Sequence, residues 1–298
     1  MSEPTPDFRS YYGRPVLKEP VWKWQIPFYL FFGGMAGATA GLTFTARRRG
    51  LHGLATRSNL INFAAVAVSP PLLIADLGRP ARFLNMLRVL KVTSPMSLGT
   101  WIITASGMAS ASSLIAHMFQ LRRVRTGAEG VAAALGPFLS TYTAVLVADT
   151  AVPVWHAARQ ELPFVFAGAS AASAGAATGM VTPSSEAGPA RRLAVGGAVL
   201  QLAATELMER RLGMLGEPYH SGEAGPYARW SKRLTAAGAV VTAVAGGRRA
   251  GRAAGGALLL AGSLADRWAV FKAGFESARD PKYTVVPQRE RLRANQGR

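Results

Sequence analysis

Residues 69–101, SPPLLIADLGRPARFLNMLRVLKVTSPMSLGTW, determine how this chain is organised. The stretch leaves one apolar segment and enters another, yet it contains several charged residues, which are Asp76, Arg79, Arg82, Arg88 and Lys91. Glycine and proline interrupt it at Gly78, Pro80 and Pro95. This pattern predicts an ordered polar connection between two segments that cross a lipid bilayer.

The middle of this connection, from Arg82 to Val92, predicts a short helix that lies along the membrane interface. Its apolar residues recur at roughly helical spacing on the side opposite the cations, namely Phe83, Leu84, Leu87 and Leu90. An ordinary connection does not need this much order, whereas a platform for another protein does. We therefore define residues 76–97 as the docking loop.

The overall composition favours a multi-pass membrane protein. The chain has 298 residues, of which 49% are hydrophobic and 17% are charged, against about 25% charged residues in soluble domains. The net charge of +18 comes from cations in short loops between apolar segments, without a nucleic-acid motif or an aromatic-interleaved basic stripe. We expect contacts with the lipid bilayer of the plasma (cytoplasmic) membrane and no nucleic-acid partner.

The absence of some residue types limits the redox chemistry that the chain can perform alone. It contains no cysteine, so it has no disulfide and no usual ligand for an iron-sulfur cluster of its own. Its four histidines lie in loops or near the ends of predicted spans, so we also expect no haem. Residues 1–20 lack the pattern of a cleaved signal peptide.

The apolar segments predict an all-α fold with about eight transmembrane helices in two four-helix bundles. The predicted spans cover residues 25–46, 59–75, 97–119, 131–155, 162–181, 193–208, 234–247 and 253–271. The predicted organisation is an N-terminal tail (1–24), a first bundle that includes the docking loop (25–156), a second bundle (157–275) and a C-terminal tail (276–298). We expect this last tail to be extended or docked on a partner. Gly33, Gly37 and Gly41 recur every fourth residue in the first span, which favours close helix packing.

Several motifs resemble those of the NrfD/PsrC family, the integral-membrane subunits of polysulfide-reductase-like molybdoenzyme complexes. The central ones are Ala75-Asp76-Leu77-Gly78-Arg79-Pro80 with Arg82-Phe83, then Ser94-Pro95-Met96-Ser97 and Gly99-x-Trp101. Supporting ones are Trp22-x-Trp24, Gly33-Gly34, Ala273-Gly274 and Ser277-Ala278-x-Asp280-Pro281. The resemblance extends over most of the chain.

The resemblance implies a membrane anchor that reacts with a quinone, with menaquinone as the expected type. Its partners would be an iron-sulfur subunit, docked on the loop through Asp76, Arg79, Arg82 and Arg88, and a molybdopterin catalytic subunit. That catalytic subunit would act on polysulfide, thiosulfate or formate. The chain by itself would catalyse no turnover, because the electrons must arrive from a partner.

Tyr142, Asp149 and His156 are the candidate catalytic residues. They follow each other at intervals of seven residues on the predicted fourth span, so at about 3.6 residues per turn they would line one face of that helix. A phenol, a carboxylic acid and an imidazole would supply the hydrogen-bond donors and the proton route that quinone reduction requires. The alternative is a polar helix contact in which Asp149, inside an apolar run, bonds a neighbouring Thr or Arg.

The family resemblance places Tyr142 at the quinone head group, where the family has a tyrosine on its fourth helix. Some family members also place an Asn and a His from the first helix at the quinone, and Ile26 and Tyr29 stand at the matching positions here. We expect Tyr29 to donate one hydrogen bond, with Gln25 or Lys23 within a turn of it. These departures leave open a structural anchor whose quinone site has been lost.

Two further interpretations also stay open. A transporter-like or proton-translocating bundle without a redox role is the competing class, although the docking loop occurs in only one half of the chain. Glu206 and Asp266 are the other acids in apolar surroundings. Each would either belong to a proton path or form a local ion pair, as Glu206 would with Arg210 four residues later.

Overall fold

The computed structural model describes residues 16–79 and 81–296. Within these residues the fold is all-α, as predicted, with eleven α-helices, one 3-10 helix and no strand. The helices are α1 (Gln25–Arg48), α2 (His52–Asp76), α3 (Ala81–Arg88), α4 (Pro95–Met118), α5 (Arg122–Ala148), α6 (Pro153–Ala157), α7 (Leu162–Val181), α8 (Gly188–Leu212), α9 (Ala224–Ala245), α10 (Arg249–Arg279) and α11 (Lys282–Gln296). The 3-10 helix (Gly213–Tyr219) follows α8.

Five of these helices are long and apolar enough to cross a membrane, namely α1, α2, α4, α5 and α7. Each has at least 20 residues, and a helix of about 20 residues is about 30 Å long, the thickness of the hydrocarbon core. These helices support a multi-pass membrane protein. The described residues also form three more long helices, α8, α9 and α10, in the places of the last three predicted spans. The full count of eight spans in two bundles stays a prediction.

Helix α1 lies at the centre of the packing. It contacts α2 and α5 in its own half of the chain, and α7 and α10 in the other half. Helix α4 packs on α5 and α2, whereas α10 packs on α9 and α7, and α8 packs on α7 and α9. Because α1 touches both halves, its small residues determine how closely they approach.

Consecutive long helices run in opposite directions, so their connections alternate between two faces of the molecule. We define the near face as the one that contains the start of α1, the docking loop, α6 and the end of α10. Contacts hold these segments together, for example the hydrogen bond from the Lys23 backbone N–H to Asp76 Oδ1 (2.8 Å) and the stacking of Trp22 on Trp155. The far face contains the α1–α2 and α4–α5 turns and the ion pair between Arg47 and Glu129 (2.7 Å).

The structure corrects several predicted boundaries. Helix α5 ends at Ala148, so the prediction of one helix through Trp155 is wrong. Pro153 disfavours a helical conformation at the residue before it, and Val152 is accordingly extended (ψ 121°). Helix α3 ends at Arg88, before Leu90. The C-terminal tail is helical over Lys282–Gln296, so it is not extended, and its docking on a partner stays a prediction. Residues 1–15 of the predicted N-terminal tail lie outside the described part.

Gly37 is the point of closest approach between α1 and α5. A Cβ atom at this position would collide with the Gly136 carbonyl oxygen of α5 and would lie 2.6 Å from Ser140 Oγ. Gly41, one turn further along α1, would meet nothing within 4 Å. The spacing that the sequence shows therefore reflects a real helix contact at Gly37 but not at Gly41.

We expect Gly37→Ala to destabilise the protein by about 1–3 kcal/mol, because overpacking forces the two backbones apart. The matched variant Gly41→Ala should be neutral or slightly stabilising, since alanine favours a helix more than glycine does. Thermal unfolding of both purified variants in detergent measures the difference. Equal melting temperatures for the two variants would contradict the assigned contact.

Candidate functional site

A small cavity lies at the near-face end of the first four long helices. Its volume is about 50 Å³. Helices α1, α2, α4 and α5, the docking loop and the segment before α1 all contribute to its wall. The lining residues are Trp22, Ile26, Tyr29, Leu30, Leu73, Asp76, Leu77, Met86, Met96, Gly99, Thr100, Tyr142, Leu146 and Val147. The cavity is thus mostly apolar, with two phenols and one carboxylate in its wall.

Tyr142 contributes the most informative polar atom of this cavity. The residue is 8% exposed, and its buried hydroxyl has no hydrogen-bond partner among the described residues. A buried donor without a partner costs roughly 1–3 kcal/mol, so an orphaned hydroxyl beside a cavity can donate a hydrogen bond to a molecule bound there. Gly99 of α4 lies so close to the Tyr142 ring that a Cβ atom there would collide with it.

Tyr29 lies in the wall of the same cavity, on α1. It is 2% exposed and belongs to the main hydrophobic core. Gln25, one turn earlier, does not line the cavity, although its side-chain oxygen is buried without a partner. Of the residues predicted to bind a cofactor, the structure therefore brings Tyr29 and Tyr142 to one cavity and leaves Gln25 outside its wall.

The sequence predicts Asp76 only as a docking residue. In the structure, Asp76 also forms part of the cavity wall. It ends α2, and its Oδ1 atom accepts a hydrogen bond from the Lys23 backbone N–H (2.8 Å). That bond holds the segment before α1 against the cavity. The signal in the sequence was the spacing of Asp76 from Leu73, which places both residues on one side of α2.

Trp22 closes the cavity from the side of the second half of the chain. Its ring stacks on Trp155 of α6, with the ring centroids 5.3 Å apart. Trp155 donates a hydrogen bond from Nε1 to the Val270 carbonyl oxygen (2.6 Å). Gly274 of α10 leaves the space that the Trp155 ring occupies. The motifs at the two ends of the chain thus meet at one contact beside the cavity.

Asp149 and His156 do not share one helix face with Tyr142, so this part of the sequence prediction is wrong. Asp149 follows the last residue of α5 and is exposed rather than buried in an apolar interior. His156 lies on α6, where its Nδ1 atom is 3.3 Å from the Ala148 carbonyl oxygen. It lines a separate, larger cavity of about 580 Å³ together with Arg159 and Arg211.

A comparison with protein families identifies the chain. Residues 15–188, more than half of its length, match the family described as Polysulphide reductase, NrfD. The chain belongs to the NrfD family. Membership makes it a membrane subunit of polysulfide-reductase-like oxidoreductase complexes. The match includes every residue that lines the cavity and the whole docking loop. No curated protein matches the chain.

The NrfD docking loop is held in place by the serines of its last motif. Ser97 Oγ donates a hydrogen bond to the Val89 carbonyl oxygen and accepts one from the Lys91 backbone N–H, both at 3.0 Å. Ser94 caps α4, with Pro95 in the first turn. These bonds connect the loop to the start of α4, which is why the loop lies in a defined position.

The outer surface of the docking loop combines cations with exposed apolar side chains. Arg79, Arg82 and Arg88 are exposed. The exposed apolar residues of the loop include Leu84, Val89, Leu90 and Val92, of which Val92 is 69% exposed. An apolar patch rimmed by charges is typical of a surface that binds another protein or a membrane.

The two other acids have local partners. Glu206 is exposed and pairs with Arg210 at 2.8 Å, which confirms the local ion pair. Asp266 is buried on α10, 3.6 Å from the guanidinium of Arg267. The Arg267 guanidinium lies over the Phe166 ring, 3.6 Å from its centroid, and donates to the Phe166 carbonyl oxygen. Neither acid lines the cavity that contains Tyr142.

We expect Gly99→Ala to displace the Tyr142 ring into the cavity, because the ring is the group that a new methyl would strike. Gly107→Ala is the matched control, because Gly107 lies on the same helix and a Cβ atom there would meet nothing within 4 Å. Crystal structures of both variants measure the ring position and the cavity volume. A Tyr142 ring that stays in place in the Gly99 variant would contradict this contact.

Proposed function

We propose that this chain is the quinone-reactive subunit of its complex and binds the quinone head group in the cavity between Tyr29 and Tyr142. The buried, unpartnered hydroxyl of Tyr142 is the observation that carries the proposal. A quinone presents two carbonyl oxygens that accept hydrogen bonds and an apolar ring that favours apolar walls. Two phenols in a mostly apolar lining fit both requirements.

The cavity is small, so quinone binding requires side chains of its wall to move. Its volume of about 50 Å³ is smaller than the roughly 300–1,000 Å³ of pockets that enclose drug-sized ligands. Met86 of the docking loop and Met96 at the start of α4 form part of the wall, and methionine side chains are unbranched and adapt readily to a guest. We infer that these two side chains move aside on binding, so the docking loop takes part in ligand entry.

A bound quinone would take up two electrons together with two protons. Tyr142 and Tyr29 would orient its carbonyl oxygens by donating hydrogen bonds. Asp76 is the carboxyl group of the cavity wall and is only partly buried, so it can exchange protons with the near face. Asp76 therefore takes the proton-carrying part that the sequence suggested for Asp149 and His156, which lie outside this wall.

Electrons would come from an iron-sulfur subunit bound on the docking loop, because the chain has no cysteine with which to hold a cluster. The loop is suited to this role since its inner side, through Met86, forms part of the cavity wall while its outer side is exposed. A molybdopterin subunit acting on polysulfide, thiosulfate or formate would complete the complex. We place the complex in the plasma membrane, with menaquinone as its quinone.

We expect Tyr142→Phe to weaken the binding of a menaquinone analogue roughly 2- to 12-fold, which corresponds to the loss of one hydrogen bond of about 0.5–1.5 kcal/mol. Tyr227→Phe is the matched control, because Tyr227 lies on α9 and outside the cavity wall. Equilibrium titration of the purified protein in detergent measures both affinities. Identical affinities in the two variants and the wild type would remove Tyr142 from the site.

A second experiment tests the docking surface. Reversing the exposed charges in the variant Arg82→Glu/Arg88→Glu should weaken the complex with the iron-sulfur subunit at least about tenfold, because an acidic partner surface that complements these arginines would then face like charges. Arg123→Glu, at an exposed arginine of the far face, is the control. Binding of the partner to the immobilised membrane subunit is measured at several salt concentrations. Equal losses in both variants would point to a general charge effect and would contradict a specific surface.

A further inference from the structure

A buried arginine on the far face of the second half has no acidic partner within the described part of the chain. Arg252 lies at the start of α10 and is 7% exposed. Its Nη1 atom donates hydrogen bonds to Ser184 Oγ (3.0 Å) and to the carbonyl oxygens of Gly247 (3.1 Å) and Gly246 (3.3 Å). Its Nε atom is buried and has no hydrogen-bond partner among the described residues. The acceptors are all neutral, so none of them compensates the charge of the guanidinium.

Acidic residues are scarce in the segments around Arg252. Residues 233–265, which contain the α9–α10 turn, include no Asp and no Glu. The α7–α8 turn has one acid, Glu186, whose carboxylate accepts a hydrogen bond from the Leu54 backbone N–H at the start of α2 (2.6 Å). A buried charge is costly unless an opposite charge offsets it, and arginine is seldom fully buried without one. An anion from outside the chain would supply the missing charge.

The helix ends beside Arg252 do not replace such an anion. The carbonyl groups of Gly246 and Gly247 directly follow α9, and the negative end of that helix dipole favours a cation. Arg252 itself belongs to the beginning of α10, where the positive end of the dipole disfavours a cation. Because the two helix ends act in opposite directions, the charge of Arg252 stays largely uncompensated.

Arg252 lines a small cavity between α7, α8, α9 and α10, which we call the arginine cavity. A second cation, the exposed Arg191 of α8, lines it too, and so does Thr242 of α9. Thr242 is 5% exposed, and its hydroxyl is buried without a hydrogen-bond partner among the described residues. Three glycines and one alanine of α7 and α10 complete the wall. The volume of about 10 Å³ is roughly the space of one water-sized atom.

We propose that the arginine cavity binds a phosphate group, one oxygen of which enters the cavity while the rest stays outside. Arg252 and the Thr242 hydroxyl donate hydrogen bonds to that oxygen, and Arg191 binds another oxygen at the mouth. Guanidinium groups suit phosphate, and basic pockets between membrane helices bind lipid head groups. The phosphate belongs either to a phospholipid of the far-face leaflet or to a free ion. Bound there, it holds the four long helices of the second half together, independently of any quinone.

The test is thermal unfolding of the full chain in an uncharged detergent without phosphate or lipid. Sodium phosphate and short-chain phosphatidylglycerol are titrated separately, because a ligand that binds only the folded state raises the melting temperature. Sodium chloride at matched ionic strength and a diacylglycerol with the same acyl chains are the controls. Stabilisation by phosphatidylglycerol alone identifies a lipid head group as the ligand, and stabilisation by sodium phosphate identifies the free ion. Equal stabilisation by chloride or by diacylglycerol would overturn the proposal.

Three variants connect the stabilisation to the arginine cavity. Arg252→Gln and Arg191→Gln should each raise the ligand concentration for half-maximal stabilisation about tenfold or more, because each removes a charged hydrogen-bond donor. Since Arg191 is exposed, its variant keeps the test valid if Arg252→Gln fails to fold. Arg192→Gln is the matched control, because Arg192 is an exposed neighbour outside the cavity wall. A wild type that neither phosphate compound stabilises, or an Arg191→Gln variant that responds like Arg192→Gln, would overturn the proposal.

Discussion

The close contact between α1 and α5 at Gly37 and Gly136 is the constraint on which the rest of the site depends. Neither glycine tolerates a side chain, because the backbone of the opposite helix fills the space. Ser140 adds a hydrogen bond from its Oγ atom to the Gly34 carbonyl oxygen (3.2 Å). At this separation, Tyr29 from α1 and Tyr142 from α5 reach the wall of one cavity. A wider spacing would leave each phenol on a separate surface.

On the near face, the proposed quinone cavity and the proposed docking surface form one structural unit. The docking loop presents cations and apolar side chains outward, while its Met86 forms part of the cavity wall. Asp76 joins this loop to the segment before α1 through its bond to Lys23, and Trp22 joins that segment to α6 and α10. The docking loop and the cavity wall therefore adjoin each other through short, packed contacts.

Polar groups in the membrane-spanning part fall into two classes with different physical consequences. Some are fully paired, such as the Arg47 and Glu129 ion pair, and these fix the positions of helices. Others keep unpartnered atoms, such as Tyr142, Ser106 and Ser110, and these atoms can still bond a ligand or water. The proposed quinone site depends on an atom of this second class, the Tyr142 hydroxyl.

The sequence by itself determined the membrane class, the all-α fold, the family and the docking loop, because hydropathy and local motifs are properties of short segments. It also predicted Tyr29 and Tyr142 as cofactor-binding residues, and the structure brings both to one cavity wall. It misplaced Asp149 and His156, since a seven-residue spacing implies one face only while the helix continues, and Pro153 stops α5 before that. Only the tertiary structure placed Asp76 in the cavity wall and aligned α2 with α4, because these contacts join residues that are far apart in the chain.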